Sequence, residues 1–271
     1  MRKIDRPVAL VTGASSGIGK ATAIALKQAG YKVFGTSRKH VPVSDDGIEM
    51  LVCDVTNDDS VQKMIAVIQL QTGGIDLLVN NAGIGLLGAA EESSIEQAQA
   101  LFNVNLFGVM RVTNAVLPMM RVQKKGRIIN MSSILGMIPS PYNALYSSTK
   151  HAIEGYSESL DHEVRSLGIR VVLVEPGVTR TSFDDNITRP DRQILFYESE
   201  RHRMESLMRD WITAGDAPEV VAATVVKAAT AISPKLRYTA GKQSTQVRFM
   251  RRFFPESIVD KSLRQFNQFS D

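Results

Sequence analysis

Short apolar runs alternate with helical patterns along almost the whole chain, and this alternation limits the fold more than any other feature. The run PVALV at 7–11 is followed by an amphipathic pattern that ends at Gly30, and the same order recurs as far as LRYTAG at 236–241. Strands joined through helices lie parallel in one sheet, with right-handed crossovers and helices on both faces. The sequence therefore predicts an α/β fold with a doubly wound, Rossmann-like parallel sheet, three layers and a single domain.

Local patterns place the strands and the starts of two helices. The predicted strands are 7–11, 31–37, 48–54, 75–80, 127–132, 169–177 and 236–241. Thr56 with Asp59, and Ser93 with Glu96, each resemble a capping box, in which two polar side chains open a helix. The second of these helices is predicted to fray at Pro118, because proline disturbs a helix interior.

Composition excludes several classes of protein. The chain has 32 Lys and Arg against 28 Asp and Glu, and a formal charge of +4 is too small to indicate nucleic-acid binding. Its single cysteine, Cys53, excludes a disulfide framework, and its four histidines show no metal-ligand spacing. The N-terminus does not read as a signal peptide, and no apolar run reaches about 18 residues. We therefore expect a cytoplasmic protein with no metal site and no nucleic-acid partner.

Three glycines lie between the first strand and the first helix. VALVTGASSGIGKA places Gly13, Gly17 and Gly19 where the backbone must turn tightly before a helix N-terminus. Free N–H groups and the positive end of the helix dipole suit a pyrophosphate there. The spacing G-x-x-x-G-x-G differs from the general dinucleotide pattern, and a plain turn is the alternative.

Several separated motifs occur in one order along the chain. They are TGASSGIG at 12–19, NNAG at 80–83, NMSSILG at 130–136, YSSTK at 146–150 and PGVTRT at 176–181. This series resembles the short-chain dehydrogenase/reductase family, in its compact branch, strongly over 7 to about 181 and in architecture to about 240. The resemblance implies an enzyme that transfers hydride between a nicotinamide dinucleotide and a small-molecule carbonyl or alcohol.

The resemblance also implies which residues contact the cofactor. These are Gly13, Ser15, Ser16, Gly17, Ile18, Gly19, Ser37, Arg38, Asp54, Val55, Asn81, Ala82, Gly83, Tyr146, Lys150, Pro176, Gly177, Val178 and Thr181. Asp54 and Val55 would border the adenine, and 176–181 the nicotinamide. Asp54 as a simple turn residue and Thr181 as a loop hydroxyl are the alternatives.

The end of the second predicted strand, GTSRKH, indicates which nicotinamide cofactor is used. An acidic residue there would accept from a ribose 2′-hydroxyl, whereas arginine would bind a 2′-phosphate. The chain has Ser37 and Arg38 and no acid, which predicts NADP(H). Some NADP-using relatives carry a basic residue where this chain has Ser16, so Ser15 and Arg38 would provide most of the recognition. Arg38 as a solvated loop charge is the alternative.

Tyr146 and Lys150 stand four residues apart, and therefore on one face of a helix. Alone, both groups are protonated at neutral pH, with pKa values of about 10 and about 10.4. A nearby ammonium favours phenolate over phenol, so we expect Lys150 to lower the pKa of Tyr146. Tyr146 would then protonate the carbonyl oxygen during reduction, and a solvated surface pair is the alternative.

Two further residues complete the predicted catalytic group. Ser133 follows the strand RIINMS and would hold the substrate oxygen against the phenol; Ser132 is the competitor. Asn105 is an unfavourable residue in the middle of a helix. The resemblance implies that it supports a water leading to Lys150, and a helix-surface amide is the alternative.

Residues 182–215 interrupt the strand and helix rhythm, and we expect them to form a lid that selects the substrate. The apolar residues that could line it are Phe183, Ile194, Leu195, Phe196, Leu207, Met208 and Trp211. Packing of a helix on its own domain is the alternative. The branch resembles reductases of steroids, retinoids and other lipophilic carbonyls. A 3-oxoacyl-thioester reductase and a non-catalytic NADPH-sensing protein are the other hypotheses.

Residues 1–241 are predicted to form the catalytic domain and 242–271 a tail. The tail interleaves arginines with phenylalanines, as in QVRFMRRFF at 246–254. We favour a tail that covers the apolar pocket or contacts another subunit over one that lies on a membrane surface. Two long helices resemble those that pair in dimers of the family, so a homo-oligomer is expected.

Overall fold

Parallel strands form the central sheet of the protein. The computed structural model describes residues 4–40, 46–181 and 187–268. Within these ranges the sheet has seven strands, which are β1 (Val8–Val11), β2 (Lys32–Ser37), β3 (Glu49–Val52), β4 (Leu77–Asn80), β6 (Gly126–Met131), β7 (Ile169–Pro176) and β9 (Arg237–Ala240). Two short strands, β5 (Gly85–Leu86) and β8 (Ile187–Thr188), pair separately. The order of the main sheet is β3-β2-β1-β4-β6-β7-β9, and all its pairings are parallel.

Helices cover both faces of this sheet. They are α1 (Gly17–Gln28), α2 (Asp58–Thr72), α3 (Ile95–Phe102), α4 (Gly108–Gln123), α5 (Ala144–Val164), α6 (Glu198–Thr213), α7 (Pro218–Thr230), α8 (Lys242–Phe253) and α9 (Glu256–Phe266). α1 and α7 pack on one face, and α2, α4 and α5 on the other. β1 and β4 are buried at every position, as expected of strands covered on both sides. The predicted three-layer, doubly wound α/β fold is confirmed.

The two predicted capping boxes are each wrong by one residue. The Asn57 side chain caps α2 by accepting from Ser60 N at 2.8 Å, while Thr56 Oγ1 donates to Asp54 at 2.8 Å. The Ser94 side chain caps α3 by accepting from Gln97 N at 3.0 Å. Both sites offer two adjacent residues with capping side chains, so tertiary contacts decide which one the helix uses.

Pro118 does not end its helix. α3, a π-helical turn at Asn103–Phe107 and α4 form one helical stretch from 95 to 123, which contains Pro118. This stretch is long and apolar enough to cross a membrane by length and composition alone. However, Val112, Val116 and Met120 are fully buried in the core beneath the sheet. These three apolar residues of the stretch therefore pack in the core of the domain.

The strand order reverses at β1, which has β2 on one side and β4 on the other. Crossover helices leave from this point in opposite directions, so a crevice opens at the carboxyl ends of the two strands. The loops after β1, β2, β4, β6 and β7 all reach this edge, where the cavity described below lies.

Candidate active site

A cavity of about 800 Å³ lies at the carboxyl edge of the sheet. Its walls contain Ser133 and every residue predicted to contact a cofactor, from Gly13 in the first loop to Thr181 after β7. Asn105 is the one predicted site residue that does not line it. The fold thus brings together side chains that are separated by up to about 170 positions in the sequence.

The loop after β1 needs glycine at three positions. Gly13 and Gly17 have φ values of +66° and +52°, a region that side chains rarely adopt. A Cβ on Gly19 would overlap the carbonyl oxygen of Gly13. The turn therefore leaves an open cradle at the N-terminus of α1, which fits the pyrophosphate of a dinucleotide.

Thr12 and Asn81 hold this turn in place. The backbone N–H groups of Asn81 and Ala82 both donate to Thr12 Oγ1 at 3.0 Å. Asn81 Nδ2 donates in return to the carbonyl oxygens of Thr12 and Gly13, at 3.0 and 3.1 Å. Asn81, predicted as a cofactor contact, thus also braces the turn. Thr12 is not among the predicted site residues, although a threonine at the end of an apolar strand was a usable signal.

Arg38 and Asp54 lie at one end of the cavity, after β2 and β3. The pKa of Asp54 is lowered chiefly by the backbone N–H of Thr56, with a smaller contribution from the positive charge of Arg38. The tip of β2 itself carries Ser37 and Arg38 and no carboxylate. A phosphate on the adenosine ribose would find a cation there.

Ser133, Tyr146 and Lys150 meet near the middle of the cavity. Ser133 follows β6, and its hydroxyl accepts from Leu135 N at 3.1 Å and hydrogen-bonds Tyr146. Lys150 Nζ donates to the carbonyl oxygen of Met131 at 3.0 Å and lies 5.5 Å from the centre of the Tyr146 ring. α5 carries both Tyr146 and Lys150 on the side that faces the end of β6.

Burial controls the protonation of this group. Tyr146 keeps a partly exposed surface toward the cavity, yet desolvation raises its pKa to about 12, opposed by the Ser133 hydrogen bond. Desolvation also lowers the pKa of Lys150 to about 8, opposed by the charge of Glu154. The net pKa of Tyr146 is thus raised rather than lowered, because desolvation is the largest contribution. The lowering effect expected from the ammonium of Lys150 stays a prediction. At neutral pH the phenol keeps its proton.

The other side of the cavity is apolar. Its wall includes Leu86, Ile138, Ile187, Met208, Trp211, Ile212, Leu263 and Phe266. The rings of Trp211 in α6 and Phe266 in α9 stack with centroids 4.8 Å apart. α6 and α9 thus close this side together.

Only part of the predicted lid contributes to that wall. Met208 and Trp211 line the cavity, whereas Ile194 and Leu207 do not. Leu195 and Phe196 are more than 80% exposed and also lie outside it. Phe183 falls outside the described residues.

Residues 7–192 match the family described as short chain dehydrogenase, which is more than half of the chain. The chain belongs to the short-chain dehydrogenase family. It is 39% identical to a 3-ketodihydrosphingosine reductase of Bacteroides thetaiotaomicron over 264 residues, 96% of this chain and 97% of that protein. It also resembles the crystal structure of a short-chain dehydrogenase from Streptomyces avermitilis, with 31% identity and a TM-score of 0.82. The match covers 98% of this chain and 97% of that chain.

Structural neighbours within the family hold nicotinamide cofactors. A serine dehydrogenase with NADP⁺ is 26% identical, has a TM-score of 0.73, and is matched over 86% of this chain and 93% of that chain. A short-chain dehydrogenase/reductase of Burkholderia phymatum holds NAD, and it is similar to this chain in fold. It is 24% identical, has a TM-score of 0.80, and is matched over 92% of this chain and 94% of that chain. This short-chain dehydrogenase is accordingly an oxidoreductase with a nicotinamide cofactor. The glycine cradle and the lysine beside the phenol fit such a cofactor.

Asn105 of this short-chain dehydrogenase lies behind the cavity, in the π-helical turn. Its Nδ2 donates to the carbonyl oxygen of Ile84 at 2.9 Å and to Thr149 Oγ1 at 3.2 Å, and its Oδ1 accepts from Ile84 N at 2.9 Å. The side chain thus ties the segment after β4 to α5, one residue before Lys150. Support of a water by Asn105 stays a prediction.

Proposed function

We propose that this short-chain dehydrogenase uses NADP(H) and interconverts a ketone and a secondary alcohol on a long-chain lipid. The observation that carries the substrate class is the apolar wall formed by α6, α9 and the β5/β8 pair opposite the catalytic side chains. An alkyl chain buried there would gain about 0.8 kcal/mol for each CH₂ group removed from water.

The substrate class is supported by the relative named 3-ketodihydrosphingosine reductase, which matches nearly the whole chain. A long-chain 3-keto amino alcohol has a polar head and an alkyl tail. Ser140, Asn143 and Asn267 provide polar groups in the same cavity as the apolar wall. Ser140 Oγ already donates to Asn267 Oδ1 at 3.0 Å, so α9 joins the loop before α5. We take this ketone as the first substrate to test.

The chain's own residues would act as follows. A bound NADPH supplies the hydride for the carbonyl carbon. Tyr146, protonated at neutral pH, donates its proton to the carbonyl oxygen, which Ser133 holds by a hydrogen bond. Lys150, fixed on the carbonyl oxygen of Met131, keeps positive charge beside the phenol and assists the developing phenolate.

The choice of NADP(H) rests on Arg38. Arg38 lines the cavity together with Ser37 and Asp54, and its positive charge contributes to the lowered pKa of Asp54. A 2′-phosphate there would gain a charge-assisted contact, whereas a bare 2′-hydroxyl would find no acidic acceptor at the tip of β2.

A carbonyl panel tests this proposal, with loss of reduced-nicotinamide absorbance as the readout. We expect higher kcat/KM for 3-ketodihydrosphingosine than for a short 3-oxoacyl thioester, and higher kcat/KM with NADPH than with NADH. Trp211→Ala should lower kcat/KM for the long-chain ketone more than for a short ketone. Phe196→Ala, which removes an exposed ring outside the cavity, is the control. Preference for the thioester, or equal loss in both variants, would contradict the substrate assignment.

A further inference from the structure

Four apolar side chains project into solvent where α8 meets α9. Phe249, Phe253, Phe254 and Ile258 are 58%, 63%, 45% and 46% exposed, and we call them the elbow patch. The ring of Phe249 contacts the rings of Phe253 and Phe254, with centroids 4.9 and 6.2 Å apart. Three clustered phenylalanines at a surface are uncommon in a protein that faces water on all sides.

Positive charge lies along the α8 side of the elbow patch, whereas α9 adds the exposed acidic residues Glu256 and Asp260. α8 has four basic residues and no acidic one, namely Lys242, Arg248, Arg251 and Arg252. The guanidinium of Arg252 lies 5.6 Å from the centre of the Phe253 ring. Arg248 pairs at 3.4 Å with the buried Glu175, and Arg251 reaches Glu256 only at 3.9 Å. Arg251 and Arg252 are both exposed, and both lie in the chain between the exposed residues Phe249 and Phe253.

Both ends of the same tail reach the cavity. Gln243 near the start of α8 lines it and accepts from Val178 N at 3.1 Å, while Leu263 and Phe266 near the end of α9 line its apolar side. The elbow between these ends is the part that points outward. A surface that engages the elbow would therefore lie beside the element that closes the cavity.

We propose that the elbow patch docks on a bilayer surface that contains anionic phospholipids. The rings would enter the interface between headgroups and acyl chains, while Arg251 and Arg252 meet the lipid phosphates. A second copy of the chain is the less suitable occupant. An isologous contact would bring the patch against itself and set the arginines of the two copies near one another.

Vesicle co-sedimentation of the full-length protein tests this docking. We expect binding to vesicles of phosphatidylcholine and phosphatidylglycerol in equal parts, and little binding to phosphatidylcholine alone. Binding should weaken as salt rises from about 0.1 M to about 1 M, because the Debye length falls from about 10 Å to about 3 Å. Replacing Arg251 and Arg252 with Gln should reduce partitioning roughly five-fold for each charge removed.

Variants of the elbow distinguish this surface from others. Phe249→Ser, Phe253→Ser and Phe254→Ser together should abolish binding, while Ile232→Ser, at a fully exposed apolar residue elsewhere, should bind as the wild type does. NADPH binding and turnover of a short soluble ketone should be unchanged in every variant. Vesicle co-sedimentation needs no substrate, so its result does not depend on whether the proposed reaction is correct.

Three outcomes would overturn the proposal. One is the absence of sedimentation with anionic vesicles, and another is sedimentation that the elbow variants leave unchanged. The third is a wild-type dimer that the triple variant converts to monomer while neither protein binds vesicles, which would assign the patch to a subunit contact.

Discussion

The ammonium of Lys150 lies 5.5 Å from the centre of the Tyr146 ring, one helical turn along α5. Burial acts on the two groups in opposite directions, raising the pKa of the phenol to about 12 and lowering that of the ammonium to about 8. Each shift disfavours the charged form. The free enzyme therefore holds a neutral phenol next to a lysine that is close to losing its charge in mildly alkaline solution.

Replacement of Tyr146 by Phe should remove the proton donor without removing the ring. We expect kcat for ketone reduction to fall by about 10²- to 10⁴-fold, the usual contribution of a general acid. NADPH affinity, measured by fluorescence titration, should change little. Tyr156→Phe alters a phenol on the same helix that does not line the cavity, and it should keep wild-type turnover. A Tyr146→Phe enzyme with normal kcat would exclude the assigned role.

Arg38→Ala should change cofactor preference. Loss of a charge-assisted hydrogen bond costs about 1.5 to 3 kcal/mol, so kcat/KM with NADPH should fall about 10- to 100-fold. The value with NADH should stay close to that of the wild type. Lys39→Ala removes an equal charge one residue further along the cavity wall and should have the smaller effect. Parallel losses with both cofactors would show that Arg38 supports the fold rather than the 2′-phosphate.

Two glycines give opposite expectations for the same substitution. Gly19→Ala places a Cβ against the carbonyl oxygen of Gly13, and it should lower the free energy of unfolding by about 1 to 3 kcal/mol and weaken cofactor binding. Gly155 lies in α5 with open space within 4 Å of the position that an alanine methyl would take, so Gly155→Ala should stabilise the protein by about 0.5 to 1 kcal/mol. Urea unfolding at neutral pH measures both changes. Equal effects would contradict the close approach in the glycine turn.

Local chemistry made much of this fold and site predictable. β1 is a continuous apolar run and β4 is apolar except for Asn80, as is typical of parallel strands that are buried on both faces. Gly19 is required by a close backbone approach, and the four-residue spacing of Tyr146 and Lys150 puts both on one face of α5. Each of these features follows from residues that are close together in the sequence, so it could be predicted without knowledge of contacts between distant segments.

The features that the sequence did not predict depend on contacts between distant segments. The sequence predicted that Met208 and Trp211 could line an apolar pocket and that the tail covers this pocket. It did not predict that Phe266, 55 positions after Trp211, is the residue whose ring stacks on it. The pKa of Tyr146 depends on how far the surrounding walls exclude water, and no spacing rule contains that information. Asn57 rather than Thr56 caps α2 because Asp54 already binds the Thr56 hydroxyl.

Glu154 supplies a test of buried charge next to the catalytic lysine. It lies one turn after Lys150, is 5% exposed, and pairs with Arg237 of β9. Its pKa is raised from 4.5 to about 7, first by desolvation and also by the charges of Glu175 and Glu158, while Ser132 and Arg237 oppose the rise. The native state thus holds this proton more tightly than the unfolded state does.

The sign of the pH effect follows from proton linkage. Between about pH 4.5 and about pH 7 the native state binds more protons at Glu154, so this residue makes the free energy of unfolding fall as pH rises. The loss is on the order of 2 to 3 kcal/mol across that window. Glu154→Gln cannot release the proton and should lack this part of the slope. Urea midpoints of both proteins from about pH 5 to about pH 7.5 measure the difference, and parallel curves would contradict it.

The same substitution should also move the pH dependence of catalysis. The negative charge of Glu154 raises the pKa of Lys150 against desolvation, so Glu154→Gln should let Lys150 lose its proton at lower pH. We expect the alkaline limb of kcat/KM for ketone reduction to shift downward from about pH 8 in this variant, whereas Glu256→Gln on the far tail helix should leave it in place. An unmoved alkaline limb would show that Lys150 titration does not limit the reaction, even if the stability slope changes as expected.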